Sequence, residues 1–206
     1  MVVRTLELIM QWSVEVTKGD NMISEKNGQY LVDISKKAVK TFLDTEHRIA
    51  VPDDCPDELK ETLGVFVTLN KKHRLRGCIG YYRPVKSLIE ATIEVAIAAA
   101  FEDPRFPELE KEEFDDLDFE VTVLTRPELI EVAHPDQYFD EIEIGRDGLF
   151  IQKGIAKGVL LPQVAPENGF SVEEFLEHTC MKAGISADSW LDESCDVYKF
   201  QGQIFK

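Results

Sequence analysis

LGVFVTLNKKHRLRGCIG (63–80) sets two strand-like runs on either side of a short polar stretch. Leu63–Leu69 concentrates β-branched and aromatic residues, as a buried strand does. Asn70–Arg74 is polar enough to turn the chain, and Leu75–Gly80 follows as the next strand. In that second run a thiol, Cys78, and a guanidinium, Arg76, flank Gly77, and Gly80 closes it. Glycine has no Cβ to keep a ligand or another chain segment away from the main chain, so a close approach is expected here.

Working outward, Leu31, Ile34, Ala38, Val39, Phe42 and Leu43 recur at three- and four-residue steps, which predicts an amphipathic helix from about Gly28 to Glu46. Val51–Pro56, with two prolines, reads as an irregular surface connection carrying an exposed thiol, Cys55. Pro84 fits a first helical position, and a broad apolar stripe from Val85 through Ile89, Ile93 and Ile97 to Phe101 predicts a deeply buried helix. Asp103-Pro104-Arg105-Phe106-Pro107 stops it. Phe119–Thr125 alternates as a half-buried strand ended by Pro127. Ile142–Gly145, Gly148–Gln152 and Gly158–Leu161 read as three short strands joined by Gly-containing turns. Ser171 and Glu174 form a capping-box pattern opening a helix to about Lys182, Gly184 closes it, and Asp196–Phe205 alternates as a last strand. Too few crossover helices separate these strands for a doubly wound parallel sheet. The order predicts an α+β fold: a mixed or antiparallel sheet with packed helices.

The chain has 206 residues and 44% hydrophobic content, enough for a substantial core. Lys and Arg number 23 against 39 Asp and Glu, and the net charge of −16 disfavours general nucleic-acid binding. The cluster Lys71–Arg76 is a local exception. Cys55, Cys78, Cys180 and Cys195 make no CxxC or Cys/His pair, so neither zinc nor any other metal is expected. Free thiols and a cytoplasmic location are the default. Residues 1–21 read as an N-terminal appendage, an added strand or helix or a misplaced start, ahead of a domain spanning 22–206. The charged residues Arg4, Glu7 and Glu15 interrupt that run, so it is not a membrane anchor. Nucleotide, zinc-protease and serine-hydrolase signatures are absent, and no cofactor is expected.

Cys78 is the cysteine whose basic neighbours could activate it, although a packed thiol explains the same position. A nucleophilic cysteine needs a base, and sequence places none of His47, His73, His134 or His178 beside it. Cys180 falls on the apolar face of its helix, as a core thiol. In the DPRF loop, Asp103 and Arg105 form either an anion clamp beside Phe106 or an ordinary ion pair at a helix stop. Gln163 and Glu167 are polar groups among prolines in the apolar stretch LPQVAPE (161–167).

Together LRGCIG, the Ala-rich helix running into DPRF, EVTVLTRPELI (120–130), DGLFI, KGVLLPQVAPE and FLEHTCMKAGISADSW (175–190) resemble, in that order, the AMMECR-domain family. The resemblance covers about Gly28–Phe205, with Asn168-Gly169-Phe170 where the family more often carries Gly-Trp. It implies a compact α+β domain of two unequal lobes with LRGCIG near a cleft, and companions among Memo-like and radical-SAM proteins. It brings no established activity. Two readings follow. The first is a noncatalytic ligand-binding or protein-interaction module; the alternative is an enzyme or enzyme subunit using Cys78 on a small anionic substrate. On either, Arg76, Gly77, Cys78, Gly80, Asp103, Arg105, Phe106, Gln163 and Glu167 are the candidate site residues, with Arg76, Gly77, Cys78, Arg105 and Gln163 expected to converge on one concavity that prefers an anion.

Overall fold

Ser24 starts the first helix, its Oγ accepting from the Asn27 amide at 3.3 Å. A computed structural model describes residues 23–82 and 86–206; the appendage expected at 1–21 lies outside the described residues. In chain order the main elements are α1 (Glu25–Thr45), β1 (Gly64–Lys71), β2 (Arg74–Tyr81), α2 (Leu88–Phe101), β3 (Leu117–Leu124), β4 (Glu128–Leu129), α3 (Tyr138–Glu141), β5 (Asp147–Lys153), β6 (Ala156–Leu160), α4 (Val164–Asn168), α5 (Val172–Lys182) and β7 (Asp196–Phe205). The strands form one antiparallel sheet in the order β2-β1-β3-β7-β5-β6, with β4 also on β7.

The apolar spacing in α1 does what its period requires, burying Leu31, Val32, Ala38 and Val39 completely. Gly28 is buried because the ring of Phe205, at the end of β7, occupies the space of its missing Cβ. In α2 Leu88, Ile89, Ala91, Thr92, Ile93 and Val95 are all buried, so the helix is apolar nearly all round and lies between α1 and the sheet. Its start differs from expectation. Pro84 and Val85 lie outside the described residues, and the helix opens at Leu88 with Ser87 as N-cap, where Glu90 accepts from the Ser87 amide at 3.2 Å.

β7 joins two cores. Phe205 at its end packs with α1, α2 and the inner faces of β1 and β3, while Val197 near its start packs with Leu149, Ile151, Phe175, Leu176 and Trp190. β3 pairs with residues 202–205 of β7, and β4 pairs with Tyr198 and Lys199 on the same edge. Between them Thr125 bridges the gap: its amide donates to Gln201 O and its Oγ1 accepts from the Gln201 amide. The ladder therefore survives the interruption that Pro127 introduces.

Two expectations are corrected. Ile142–Gly145 is no strand: Ile142 caps α3, and the chain turns as the buried Asp147 carboxylate accepts from the Glu143 amide and the Asp147 amide donates back to Glu143 O. Its two isoleucines, Ile142 buried and Ile144 half-buried, pack on the second core from a turn. Cys55 is buried, not exposed, because its loop folds onto the α1–α2 core with Leu59 and Leu63, and burial pushes its thiol up. Cys180 lies in the second core as expected, and burial pushes its thiol up to about 12. No helix among the described residues is long and apolar enough to cross a membrane.

Candidate functional site

β2 is an edge strand, and its register against β1 decides where its side chains go. Leu69 pairs with Gly77 and Asn70 with Leu75, so Arg76 is the extra residue of a β-bulge. Beyond the bulge Gly77 shares the helix-facing side with Leu69, and Cys78 shares the opposite side with Thr68. The two glycines are explained by these neighbours. A Cβ on Gly77 would run into the carbonyl oxygen of Ala99 in α2, and one on Gly80 into the ring of Phe66 and the Val65 carbonyl oxygen. The close approach expected from the sequence is thus made by the chain itself.

The loop after α2 covers the free edge of β2 at Cys78. The Cys78 amide donates to Asp103 Oδ2 at 2.9 Å, and Arg105 Nη2 donates to the Cys78 carbonyl oxygen at 3.2 Å. Asp103 and Arg105 thereby stand where another strand would pair. They also hold each other: Arg105 donates from Nε to Asp103 Oδ1 at 2.9 Å and from Nη2 to Oδ2 at 2.7 Å. Asp103 is buried, its side chain 2% exposed, whereas that of Arg105 is 54% exposed and stacks near Phe106 with Cζ 5.5 Å from the ring centre. The Arg105 guanidinium holds the Asp103 carboxyl well below the usual carboxylate range; burial opposes this, and the Cys78 and Arg105 amides add to it.

Cys78 is the half-exposed cysteine; the other three are buried. Its Sγ accepts from Thr68 Oγ1 at 3.3 Å. None of its hydrogen-bond partners among the described residues is a histidine. His73 is exposed in the β1–β2 turn, His178 stacks on Phe170 with ring centres 4.2 Å apart, and the His47 ring bonds to the Thr45 carbonyl oxygen.

Arg76 goes elsewhere. Its side chain, 9% exposed, donates from Nη2 to Glu113 Oε2 at 2.9 Å, from Nε to Oε1 at 3.3 Å, and from Nη2 to Glu108 O at 3.4 Å. Lys71 donates to Glu113 Oε1 at 2.9 Å. These two cations, Arg76 first, draw the Glu113 carboxyl down to about 2. Arg76 Nη1 remains buried with no hydrogen-bond partner. A groove of about 470 Å³ opens at the turn end of the hairpin, lined by Lys71, Lys72, Arg74, Leu75 and Arg76.

Asp103 and Arg105 therefore meet Cys78 through its backbone, while Arg76 binds Glu113. Gln163, at the N-cap of α4, and Glu167, on that helix, are exposed; Ala165 of α4 packs into the second core, and no hydrogen bond or ion pair among the described residues joins Gln163 or Glu167 to Cys78, Arg76 or Arg105. Sequence reasoning missed Glu113, one acid in the acidic run Glu110–Asp116, and Thr68, whose only signal was its place in the facing strand. Among the described residues no group of three His, Cys, Asp or Glu side chains could hold a metal ion.

A protein of Methanothermobacter thermautotrophicus is 52% identical over 183 residues, covering 89% of this chain and 95% of its own. Protein PF1979 of Pyrococcus furiosus is 49% identical, covering 89% of this chain and 90% of its own. The crystal structure of the uncharacterized protein PH0010 from Pyrococcus horikoshii superposes with a TM-score of 0.75 at 49% identity, over 88% of this chain and 92% of that one. The AMMECR1 family profile matches residues 32–205, and with these relatives it places the chain in the AMMECR1 family.

Proposed function

We propose that this protein is a noncatalytic binding module whose ligand contacts centre on the start of the LRGCIG hairpin. The observation that carries the reading is the groove lined by Lys71, Lys72, Arg74, Leu75 and Arg76, four of them cationic. On this reading Gly77 and Gly80 shape the hairpin, Asp103 and Arg105 close its edge, and Cys78 is a packing residue. Gln163 and Glu167 take no direct part, and Phe106 supports Arg105. Four unpaired thiols support a reducing, cytoplasmic setting. The resemblance to its family makes Memo-like and radical-SAM proteins the partners to try first.

The half-exposed Cys78 thiol favours the enzyme reading as the alternative. Amide-resolved NMR separates the two, using pyrophosphate, citrate and glucose as probes on wild type and Cys78→Ala. The module reading expects at least one probe to shift the amides of 71–76 in both proteins. Shifts centred on Cys78 and lost in the variant would support the thiol instead, and no shift at the hairpin with any probe would end the module reading.

A further inference from the structure

The groove at the hairpin turn concentrates positive charge in a chain whose net charge is −16. Four of its five lining residues, Lys71, Lys72, Arg74 and Arg76, are cationic, and a single carboxylate, Glu113, bonds to two of them. Lys72 and Arg74 are exposed and make no ion pair among the described residues. We infer that this groove binds a small phosphate-bearing ligand. The inference rests on the binding-module reading and adds the chemical class of the ligand.

Three physical arguments select that class. After Glu113 is counted, the lining still carries more than one uncompensated positive charge, which a monocarboxylate would leave largely unbalanced and a phosphoryl dianion would not. Guanidinium groups present a planar fork of donors that matches phosphoryl oxygens, and the lysines supply point charges around it. A small ligand feels mainly the field within about one Debye length, ~8 Å at physiological ionic strength, so the local cations act on it. A nucleic-acid strand would extend over the surrounding acidic surface and be repelled. The exposed Leu75 gives the groove one apolar wall, and about 470 Å³ leaves room for an organic group beside the phosphate.

The turn itself is a second observation pointing the same way. Lys72 and His73 form a two-residue hairpin loop, and both have positive φ, 50° and 62°. That left-handed conformation suits Asn-Gly and disfavours ordinary side chains. Keeping Lys72 in a position where its backbone is strained makes sense if its ammonium is used.

The test exploits that strain. Lys72→Asn combined with His73→Gly removes a cation and relaxes the turn, so the fold is retained while the proposed site is weakened. Pyrophosphate titrated into labelled wild-type protein should saturate the amide shifts of residues 71–76, with affinity falling steeply as salt rises. Affinity should drop about 10-fold or more in the double variant and in Arg74→Ala, and citrate of similar charge should bind wild type at least ~10-fold more weakly than pyrophosphate. Equal affinity of wild type and both variants for pyrophosphate overturns the inference. So does citrate binding as tightly at the hairpin, although that result leaves the module reading standing. A single-stranded RNA oligonucleotide that displaces pyrophosphate and binds more tightly would make the ligand a polymer and overturn it too. If no probe perturbs the hairpin, both the ligand class and the module reading fall.

Discussion

The Cys78 amide lies 2.9 Å from Asp103 Oδ2, so the side chain of a loop residue occupies the place of the strand that β2 lacks on its outer edge. Arg105 completes the arrangement by donating to the carbonyl oxygen of the same residue. At that residue the edge is satisfied from within and closed to another chain's ladder, which is one way sheet proteins avoid edge-to-edge association.

The two partners should differ in weight. Asp103 is buried and accepts from the Cys78 amide and from three donors of Arg105, so Asp103→Ala should cost ~1–3 kcal/mol by leaving that part-buried amide and the guanidinium without their acceptor. Arg105 is more than half exposed, and Arg105→Ala should cost less than about 1 kcal/mol. Urea denaturation measures both. Equal losses would show that the carboxylate and the guanidinium hold the edge as one unit. Asp103→Ala should also aggregate more readily through the freed edge.

Gly77→Ala should be among the most damaging small changes in the chain, because the added methyl meets the backbone carbonyl oxygen of Ala99, which no rotamer change can move. A loss of ~3 kcal/mol or more is expected. Gly154→Ala is the control: its φ is 59° and nothing lies within 4 Å of the added Cβ, so only the conformational cost of about 1–2 kcal/mol applies. If Gly77→Ala melts with wild type, helix α2 does not approach β2 as described.

Much of this architecture is legible in local pattern. The three- and four-residue spacing of α1, the strand composition of β1, the Ser171–Glu174 box and the alternation of β7 each specify an element within a few residues of its bounds. The Ser87–Glu90 box was equally visible, but Pro84 offered a competing start for α2. The site is harder to read. That Arg76 is a bulge residue depends on pairing with β1, and Glu113 is indistinguishable in sequence from the acids around it. Cys55 carries the flanking prolines of a surface loop and becomes buried only because that loop packs onto two helices. Each of these positions is settled by a long-range contact that leaves no period in the chain.

Stability at low pH should report the Glu113 cluster. Its folded pKa of about 2 lies below the ordinary 4.5, so the unfolded chain takes up the proton first as pH falls. The contribution is complete above about pH 4.5 and is lost on descending to about pH 2. Glu113→Gln should therefore lower the melting temperature at neutral pH, and its difference from wild type should shrink through that window. A difference independent of pH between 5 and 2 would mean that the Arg76 and Lys71 contacts contribute nothing through charge.

The strongest single dependence in the second half of the chain should be on Asp147. Its side chain is fully buried where β5 meets β7, and it accepts from the Glu143 amide at 2.9 Å, from Arg146 Nε at 3.0 Å and Nη2 at 2.8 Å, and from Gln201 Nε2 at 3.1 Å. Burial alone would raise its pKa, but Arg146, the Glu143 amide and Gln201 together hold it below the ordinary 3.8, so the carboxylate is the stabilising form and its contribution declines as pH falls below that value. Asp147→Ala leaves the Glu143 amide and the Gln201 amide group without their acceptor beside the second core, and should cost ~3–5 kcal/mol. Asp147→Asn keeps the shape but turns one acceptor into a donor facing other donors, and should lose most of the same amount. Hydrogen exchange should then show β5 and the first half of β7 opening before β1 and β2, because the damage lies on the side of β7 that the first core does not touch. Uniform acceleration across both halves of the sheet would mean that the two cores unfold as one unit, and a loss under ~1 kcal/mol for Asp147→Ala would remove this carboxylate as the tie between β5 and β7.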